Sequence, residues 1–162
     1  METEHVFFIE SPIGAVEIKG TPEHITGINF FETSGVSSAK PHQILKICGN
    51  QLQEYFSGKR KKFTVPLKQT GTDFQQQVWN QLSKIPFGHL SSYEEIAVRL
   101  KDKKNARAVG SANGRNQISI IVPCHRVVGK NGDLTGYAGG LWRKQWLIEH
   151  EQYYFMDFSP RK

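Results

Sequence analysis

One segment constrains this chain more than any other, residues 118–128, which read ISIIVPCHRVV. Its opening residues are mostly apolar and β-branched, which favours a short buried strand, and Pro123 removes a backbone donor and ends that strand. We therefore expect Cys124 and His125 to lie at the end of a strand. A rigid element would then hold a nucleophile next to a potential base, as is usual for a reactive cysteine.

The composition excludes several classes of protein. A chain of 162 residues with 38% hydrophobic content can bury a core in one or two small domains. No apolar run reaches membrane length, and the start, METEHVFFIE, carries acids where a signal peptide needs a basic region. The 2 cysteines exclude a disulfide scaffold and favour a reducing compartment, so we expect a cytoplasmic protein with no membrane contact. The net charge of +6 is compatible with a polyanion partner but does not require one.

The first part of the chain predicts strands followed by a helix. Residues 6–31 alternate short apolar stretches with turn signals, which predicts a meander of strands. Apolar residues from Ile44 to Phe56 recur at helical spacing until Gly58 ends the segment. Cys48 falls on that apolar face, which favours a role in the core over a redox role.

The stretch after this helix predicts the end of a first domain. Lys59 to Lys62 form a basic run, which is more often a solvated turn than a DNA contact. Residues 63–67 predict an edge strand that contains Pro66. The composition changes at residues 68–71, and we place the domain boundary there. The predicted domains are residues 1–68 and residues 69–162.

The second part of the chain carries clear signals for helices. Thr72 with Gln75 and Ser92 with Glu95 each form a capping box, which predicts that a helix begins at each pair. A tight turn at residues 101–104 follows the second helix. Short helices joined by a tight basic turn are typical of a helix-turn-helix.

A further helix is predicted at residues 106–112, with Asn105 as its cap and residues 113–114 as its end. Its side chains are small apart from Val109 and Arg107. Small residues allow helices to pack tightly inside a protein. They also make a helix thin enough to enter a DNA groove, with the arginine as a probe. The residues alone leave both interpretations open.

The segment after residue 128 predicts a hairpin and a last helix. Asn131 with Gly132 is a strong hairpin signal, and a hairpin after a helix-turn-helix resembles the wing of a winged-helix domain. The glycine-rich residues 135–140 are able to close over a ligand. The last helix is predicted from Leu141 to Glu151.

The chemistry expected at Cys124 depends on its surroundings. Adjacent residues of an extended strand point to opposite faces, so Cys124 and His125 would couple through a water, with a carboxylate behind the imidazole ring. Glu151 is one candidate among 15 acidic residues. One cysteine beside one histidine does not have the spacing of a zinc site, so we expect no metal. From these residues alone, a buried inert cysteine is the default interpretation.

The motifs together resemble one protein family. The residues concerned are Tyr93, Asn105 to Gly110, Asn116, Ile121 to Val127, Gly136, Tyr137, Gly139, Gly140 and Glu151. Their order and separation resemble the O6-alkylguanine-DNA alkyltransferases, also called methylated-DNA-protein-cysteine methyltransferases. The Pro-Cys-His-Arg run is especially specific to them. The resemblance implies an α/β N-terminal ribonuclease-H-like domain, followed by a mainly α winged helix-turn-helix C-terminal domain that binds DNA.

The resemblance also implies a reaction. The thiolate of Cys124 would take the alkyl group from O6-alkylguanine, and from O4-methylthymine, in one irreversible transfer per molecule and without a cofactor. His125, through a water, and Glu151 would activate the thiol, and Asn116 would brace their loop. Tyr93 would help to flip the nucleotide and donate to the departing guanine.

The implied partner is duplex DNA containing O6-alkylguanine, approached through the minor groove by a monomer, with cooperative binding left open. Arg107 would fill the space that the flipped nucleotide vacates. The implied DNA-binding residues are Ala106, Arg107, Ala108, Gly110, Ser111, Asn113 and Arg115. The implied base pocket consists of Tyr93, Val127, Thr135, Gly136, Tyr137, Ala138 and Gly139.

The sequence departs from relatives at some of these places. Gln117 stands where many members have proline, and Ala138 stands where some have serine. Asn113 and Trp142 also differ from some relatives near the pocket. These changes bear on the size of the alkyl group that fits. Three alternatives remain open. One is a damage sensor that binds the lesion without transfer, although such proteins lack the acceptor cysteine, and another is a winged-helix transcription factor. The third is a cysteine hydrolase, for which no oxyanion signature is present.

Overall fold

The computed structural model describes residues 3–101 and 105–156. By their contacts the described residues divide into two compact units, with the division between Gln69 and Thr70. Within these ranges, no helix has both the length and the apolar character needed to cross a membrane.

The first unit is a sheet with one helix against it. The antiparallel sheet has the order β1-β2-β3, formed by β1 (His5–Ser11), β2 (Gly14–Gly20) and β3 (Ile25–Phe31). The helix is α1 (Gln43–Phe56). Both the strand meander and the helix predicted here are confirmed.

Alternation along the strands determines which side chains face the helix. Phe7 pairs with Ile18, and Ile18 pairs with Ile28, so these apolar residues share one face. Gly49 of α1 lies against Phe7, where a Cβ atom would come within 2.9 Å of the ring. The helix therefore approaches the sheet closely, and Cys48 beside this glycine is completely buried.

The edge strand predicted at residues 63–67 is wrong. Only one bridge joins this region to the sheet in the described residues, a parallel one between Ile25 and Leu67. Ile25 N–H donates to the Pro66 carbonyl at 2.8 Å, and Lys68 N–H donates to the Ile25 carbonyl at 2.9 Å. Because Pro66 has no N–H to donate, the pairing does not extend into a strand.

The second unit is mainly helical. Its helices and strands are α2 (Asp73–Leu82), β4 (Ser91–Ser92), α3 (Tyr93–Arg99), α4 (Ala106–Gly114), β5 (Val127–Val128) and α5 (Leu141–Phe155). Both predicted capping boxes are present at the starts of α2 and α3. Trp79 of α2 donates through Nε1 to the Ala112 carbonyl of α4 at 2.9 Å, which ties these two helices together.

The helix that carries Arg107 begins at Ala106, as predicted, but ends later than predicted. α4 runs through residues 113–114 instead of ending before them. Asn105 lies at the cap position, but its backbone angles, φ −128° and ψ 44°, are not the extended ones of an N-cap, and its side chain accepts no capping hydrogen bond. In the turn predicted at residues 101–104, residues 102–104 lie outside the described residues.

The strand predicted at residues 118–122 is also wrong. This segment is an irregular turn in which Ile120 has a φ of 70° and Val122 N–H donates to the Ile118 carbonyl at 3.0 Å. Cys124 begins a turn of 3-10 helix, and the strand β5 comes after it, paired in parallel with β4. The cysteine therefore precedes a strand instead of ending one. The physical reason is that the Asn116 side chain hydrogen-bonds backbone groups of Ile118 and Val122 that a ladder would otherwise need.

The predicted hairpin is present as a turn but not as a pair of strands. Asn131 and Gly132 have φ values of 65° and 81°, and Gly129 N–H donates to the Asp133 carbonyl at 2.7 Å, so the chain does reverse. Residues 133–140 form no strand, because β5 is paired with β4 and several of these later residues line a cavity. The last helix, predicted to end at Glu151, continues to Phe155.

Candidate active site

Asn116 organises the loop that leads to the cysteine. Its Nδ2 donates to the Val122 carbonyl at 2.8 Å and to the Ile118 carbonyl at 3.4 Å, and its Oδ1 accepts from Ile118 N–H at 3.2 Å. Nδ2 also lies 3.0 Å from Sγ of Cys124. One amide side chain therefore shapes the turn and touches the sulfur that the turn presents.

Cys124 is 5% exposed and is a neutral thiol at rest. Burial raises the pKa of Cys124, because it disfavours the charged sulfur. The hydrogen bond from Asn116 and the positive charge of Lys144 lower this pKa but do not outweigh burial. The sulfur therefore needs a base to ionise, and Asn116 and Lys144 offset part of the cost of burying the thiolate.

His125 is the candidate for that base. Its Nε2 lies 2.7 Å from Oε2 of Glu151, and both side chains are buried. Burial lowers the pKa of His125, and the charges of Arg126 and Lys144 add to this effect, while Glu151 opposes it. The imidazole is therefore neutral and able to accept a proton. Its other nitrogen, Nδ1, is buried and has no hydrogen-bond partner among the described residues.

Glu151 is held by more than the histidine. Arg126 donates through Nε to Oε1 at 2.8 Å and through Nη2 to Oε2 at 3.0 Å, and Gly88 N–H lies 3.3 Å from Oε1. Burial alone would raise the pKa of Glu151, but the hydrogen bond from His125 and the charge and hydrogen bonds of Arg126 outweigh it, so the pKa falls well below its usual value. The guanidinium also donates through Nη1 to the Ile85 carbonyl at 2.6 Å. The carboxylate is therefore charged and fixed in orientation.

Lys144 is a site residue that the sequence analysis missed. It is completely buried on α5, and its Nζ donates to the Thr135 carbonyl at 3.0 Å. Burial lowers the pKa of Lys144 to about 8. Helical spacing could have found it, since Lys144, Leu147 and Glu151 fall on one face of α5 and a charge among apolar residues is informative.

A cavity of about 530 Å³ lies beside this group, within the size range of small-molecule sites. Tyr93 of α3, Arg107 and Gly110 of α4, and residues 135–138 contribute to its lining. Gly110 of α4 lies beside the Tyr93 ring, where a Cβ atom would make an ordinary contact at 3.7 Å. The cavity thus joins the arginine helix to the glycine-rich segment.

The structure brings together part of the residue set implied by the resemblance. The cavity is lined by Tyr93, Ala106, Arg107, Gly110, Thr135, Gly136, Tyr137 and Ala138. Arg107, Ser111 and Arg115 are exposed, and Ala108 is half-buried. Val127 is buried in β5, and Asn113 is buried with its Nδ2 3.4 Å from the Cys124 carbonyl instead of facing solvent. Gly139 accepts from Nη1 of Arg143 at 2.9 Å and is half-buried.

Comparison with protein families matches the chain in two parts. Residues 6–69 match the ribonuclease-like domain of 6-O-methylguanine DNA methyltransferase, and residues 73–153 match the DNA-binding domain of the same family. A methylated-DNA–protein-cysteine methyltransferase from Methanosarcina acetivorans is 44% identical over 88% of this chain and 94% of its own length.

Solved structures agree with this match. The O6-methylguanine methyltransferase of Mycobacterium tuberculosis superposes with a TM-score of 0.86 at 41% identity, covering 99% of this chain and 97% of that one. A complex of the Mycobacterium tuberculosis protein OGT with DNA has a TM-score of 0.82 at 44% identity, covering 91% and 92%. The expected order of an α/β domain before a mainly helical DNA-binding domain is confirmed.

Proposed function

The chain belongs to the 6-O-methylguanine DNA methyltransferase family, and from that premise we propose that Cys124 is the cysteine that accepts the alkyl group. The protein binds DNA and repairs it by transferring an alkyl group to one of its own cysteines. The assignment rests on the Asn116 amide 3.0 Å from this sulfur and on the buried pair of His125 and Glu151, which begins at the next residue of the chain.

The proposed reaction is a direct displacement at the alkyl carbon. A bond forms between that carbon and Sγ of Cys124, while the bond from the carbon to O6 breaks and its electron pair stays on the guanine. The thiol proton passes to His125 through a water, since Nδ1 is buried and unpaired among the described residues while Nε2 is held by Glu151. The charged Glu151 then stabilises the imidazolium that results.

Tyr93 is the proposed donor to the departing guanine. Its side chain lines the cavity, and a hydrogen bond from its hydroxyl would offset the negative charge that the base gains. The product thioether is not reversed by thiols, so each molecule acts once. No group other than the damaged base has to supply the alkyl carbon, and we propose that no cofactor takes part.

The proposed substrate is duplex DNA that contains O6-alkylguanine, with O4-methylthymine as a second base. A stacked base cannot bring its O6 atom to a buried sulfur, so the nucleotide has to flip, which costs a few kcal/mol. Arg107 is exposed on α4 and lines the cavity, which supports a role in filling the vacated space from the minor groove. We place Ala106, Ala108, Gly110, Ser111 and Arg115 on the same surface.

The proposed location of the protein is the cytoplasm, because both cysteines are free, which supports a reducing compartment. We propose that the protein acts as a monomer.

Mass spectrometry tests the assignment. Protein mixed with duplex containing O6-methylguanine should gain the mass of one methyl group, on the peptide that carries Cys124, and should gain no more when the lesion is in excess. The matched control is Cys48→Ala, which should react as the parent protein does. A methyl group on any other residue, or continued turnover, would show that the assignment is wrong.

A further inference from the structure

The sulfur of Cys124 does not form part of the cavity wall. Tyr137 and Ala138 line the cavity, whereas Cys124, which the structure also describes, is not among the lining residues and is only 5% exposed. A base held in this cavity would therefore not yet face the sulfur. Some contact between them has to change before an alkyl carbon can be reached.

Thr135 is bonded both to a residue of the cavity wall and to a residue that acts on the sulfur. On the cavity side its Oγ1 is hydrogen-bonded to the Tyr93 hydroxyl, which joins the glycine-rich segment to α3. On the other side its carbonyl accepts from Nζ of Lys144 at 3.0 Å, and the charge of Lys144 acts on the Cys124 sulfur. One residue thus links the wall of the cavity to the surroundings of the nucleophile.

We propose that Thr135 is a positioning residue whose hydroxyl, bonded to Tyr93, holds the route from the cavity to Cys124 closed while no DNA is bound. We call this hydrogen bond the Tyr93–Thr135 clasp. When a base enters, the Tyr93 hydroxyl leaves Thr135 and becomes available to the base, so the same event opens the way to the sulfur and frees the donor. Its part in repair rests on the function proposed above.

The clasp is weak enough to open on binding. A single neutral hydrogen bond shifts an equilibrium between closed and open forms by about two- to tenfold, because the separated groups regain partners in water. The Lys144 bond uses the main-chain carbonyl of Thr135, so a change of the side chain leaves that anchor in place. The clasp can therefore be removed without removing its support.

The experiment measures how fast iodoacetamide alkylates Cys124 in protein without DNA. Thr135→Val keeps the shape of the side chain and removes the hydroxyl, so the rate should rise about two- to tenfold. Thr135→Ser keeps the hydroxyl and should match the parent protein. Tyr93→Phe removes the other half of the clasp and should raise the rate as Thr135→Val does.

The double variant Tyr93→Phe with Thr135→Val decides whether one shared bond is responsible. Both changes delete the same contact, so the double variant should react no faster than either single variant. Cys48 does not interfere, since it is completely buried with a pKa of about 12, and peptide mass mapping confirms the modified residue.

Two results would overturn the proposal. One is a Thr135→Val rate equal to that of the parent, and the other is a double variant whose rate is the product of the two single effects. Thermal unfolding of each variant shows whether the fold is retained, and Tyr93→Phe tests the same bond if Thr135→Val does not fold. The assay contains no DNA, so its outcome is separate from that of the methyl transfer experiment.

Discussion

The two cysteines of this chain lie in different units and show what makes a sulfur reactive. Cys48 in α1 and Cys124 in its 3-10 turn are 0% and 5% exposed, and burial raises the pKa of both. For Cys48 burial is the cause of the shift to about 12. For Cys124 a hydrogen bond from Asn116 and the charge of Lys144 oppose burial.

The difference lies in the neighbours and not in exposure. Cys48 packs in the core between a helix and a sheet, where it behaves as a small apolar side chain. Cys124 precedes a neutral histidine whose ring is held by a fixed carboxylate, so this histidine is able to accept the thiol proton. Burial without polar neighbours makes a sulfur inert, whereas burial beside them makes an ionised sulfur a strong nucleophile.

The largest expected effect comes from removing the sulfur of the second unit. Cys124→Ala should abolish methyl transfer while DNA containing the lesion still binds, because the proposed DNA surface lies on α4. Transfer is measured by mass spectrometry, and binding by fluorescence anisotropy. Loss of both would mean that Cys124 is structural, like Cys48, and the contrast between the two cysteines would disappear.

The next effect concerns the buried charge behind the histidine. Glu151→Gln leaves Arg126 buried without its full charge partner, so the free energy of unfolding should fall by about 3–5 kcal/mol, measured by urea denaturation. The double variant with Arg126→Met removes both charges and should recover part of that loss. If it recovers nothing, the two side chains do not act as a pair.

The same variant gives a pH dependence with a definite sign. The folded protein holds the pKa of Glu151 below its usual value of 4.5, so the stabilising contribution is complete above that pH and is lost as the pH falls below it. The difference in unfolding free energy between the parent and Glu151→Gln should therefore shrink in acid. A difference that grows in acid would contradict the direction of the shift.

A smaller effect is expected from the lysine beside the sulfur. Below its pKa of about 8, Lys144 is charged and favours the thiolate, so Lys144→Met should slow transfer by up to about tenfold, the equivalent of one pKa unit. Above pH 8 the parent loses this charge and the two rates should converge. Single-turnover rates on both sides of that pH test this, with Lys144→Arg as the control whose charge does not titrate.

The smallest effect is expected in the first unit. Cys48→Ala leaves a small cavity beside α1, so the unfolding free energy should fall by roughly 1 kcal/mol with no change in the transfer rate. Transfer is measured at a temperature where the variant is fully folded. A slower transfer would show that Cys48 also contributes to the reaction, against the contrast drawn between the two sulfurs.

The sequence predicted those features that short-range chemistry determines. Both capping boxes mark the starts of their helices, because the hydroxyl accepts from the N–H three residues later and the glutamine or glutamate there accepts from the N–H of the cap residue. The pattern of apolar residues in α1 likewise placed Cys48 in the core.

Features set by side-chain contacts that no regular sequence pattern signals were harder to predict. Residues 118–122 have strand composition, but Asn116 binds their backbone and makes them a turn. Lys144 was not predicted because a lysine is normally exposed, although it shares one face of α5 with Leu147 and Glu151. Glu151 was one acid among many until the fold brought it to His125.

The location of Glu151 and Lys144 on α5 has a consequence for synthesis. The ribosome completes Cys124, His125 and Arg126 before it begins this helix, so a growing chain already contains the thiol but not its charged partners. The chemistry becomes available only when α5 docks. A chain that is still being synthesised therefore lacks the charged groups that the reaction needs, and it becomes able to repair DNA only when the second unit has folded.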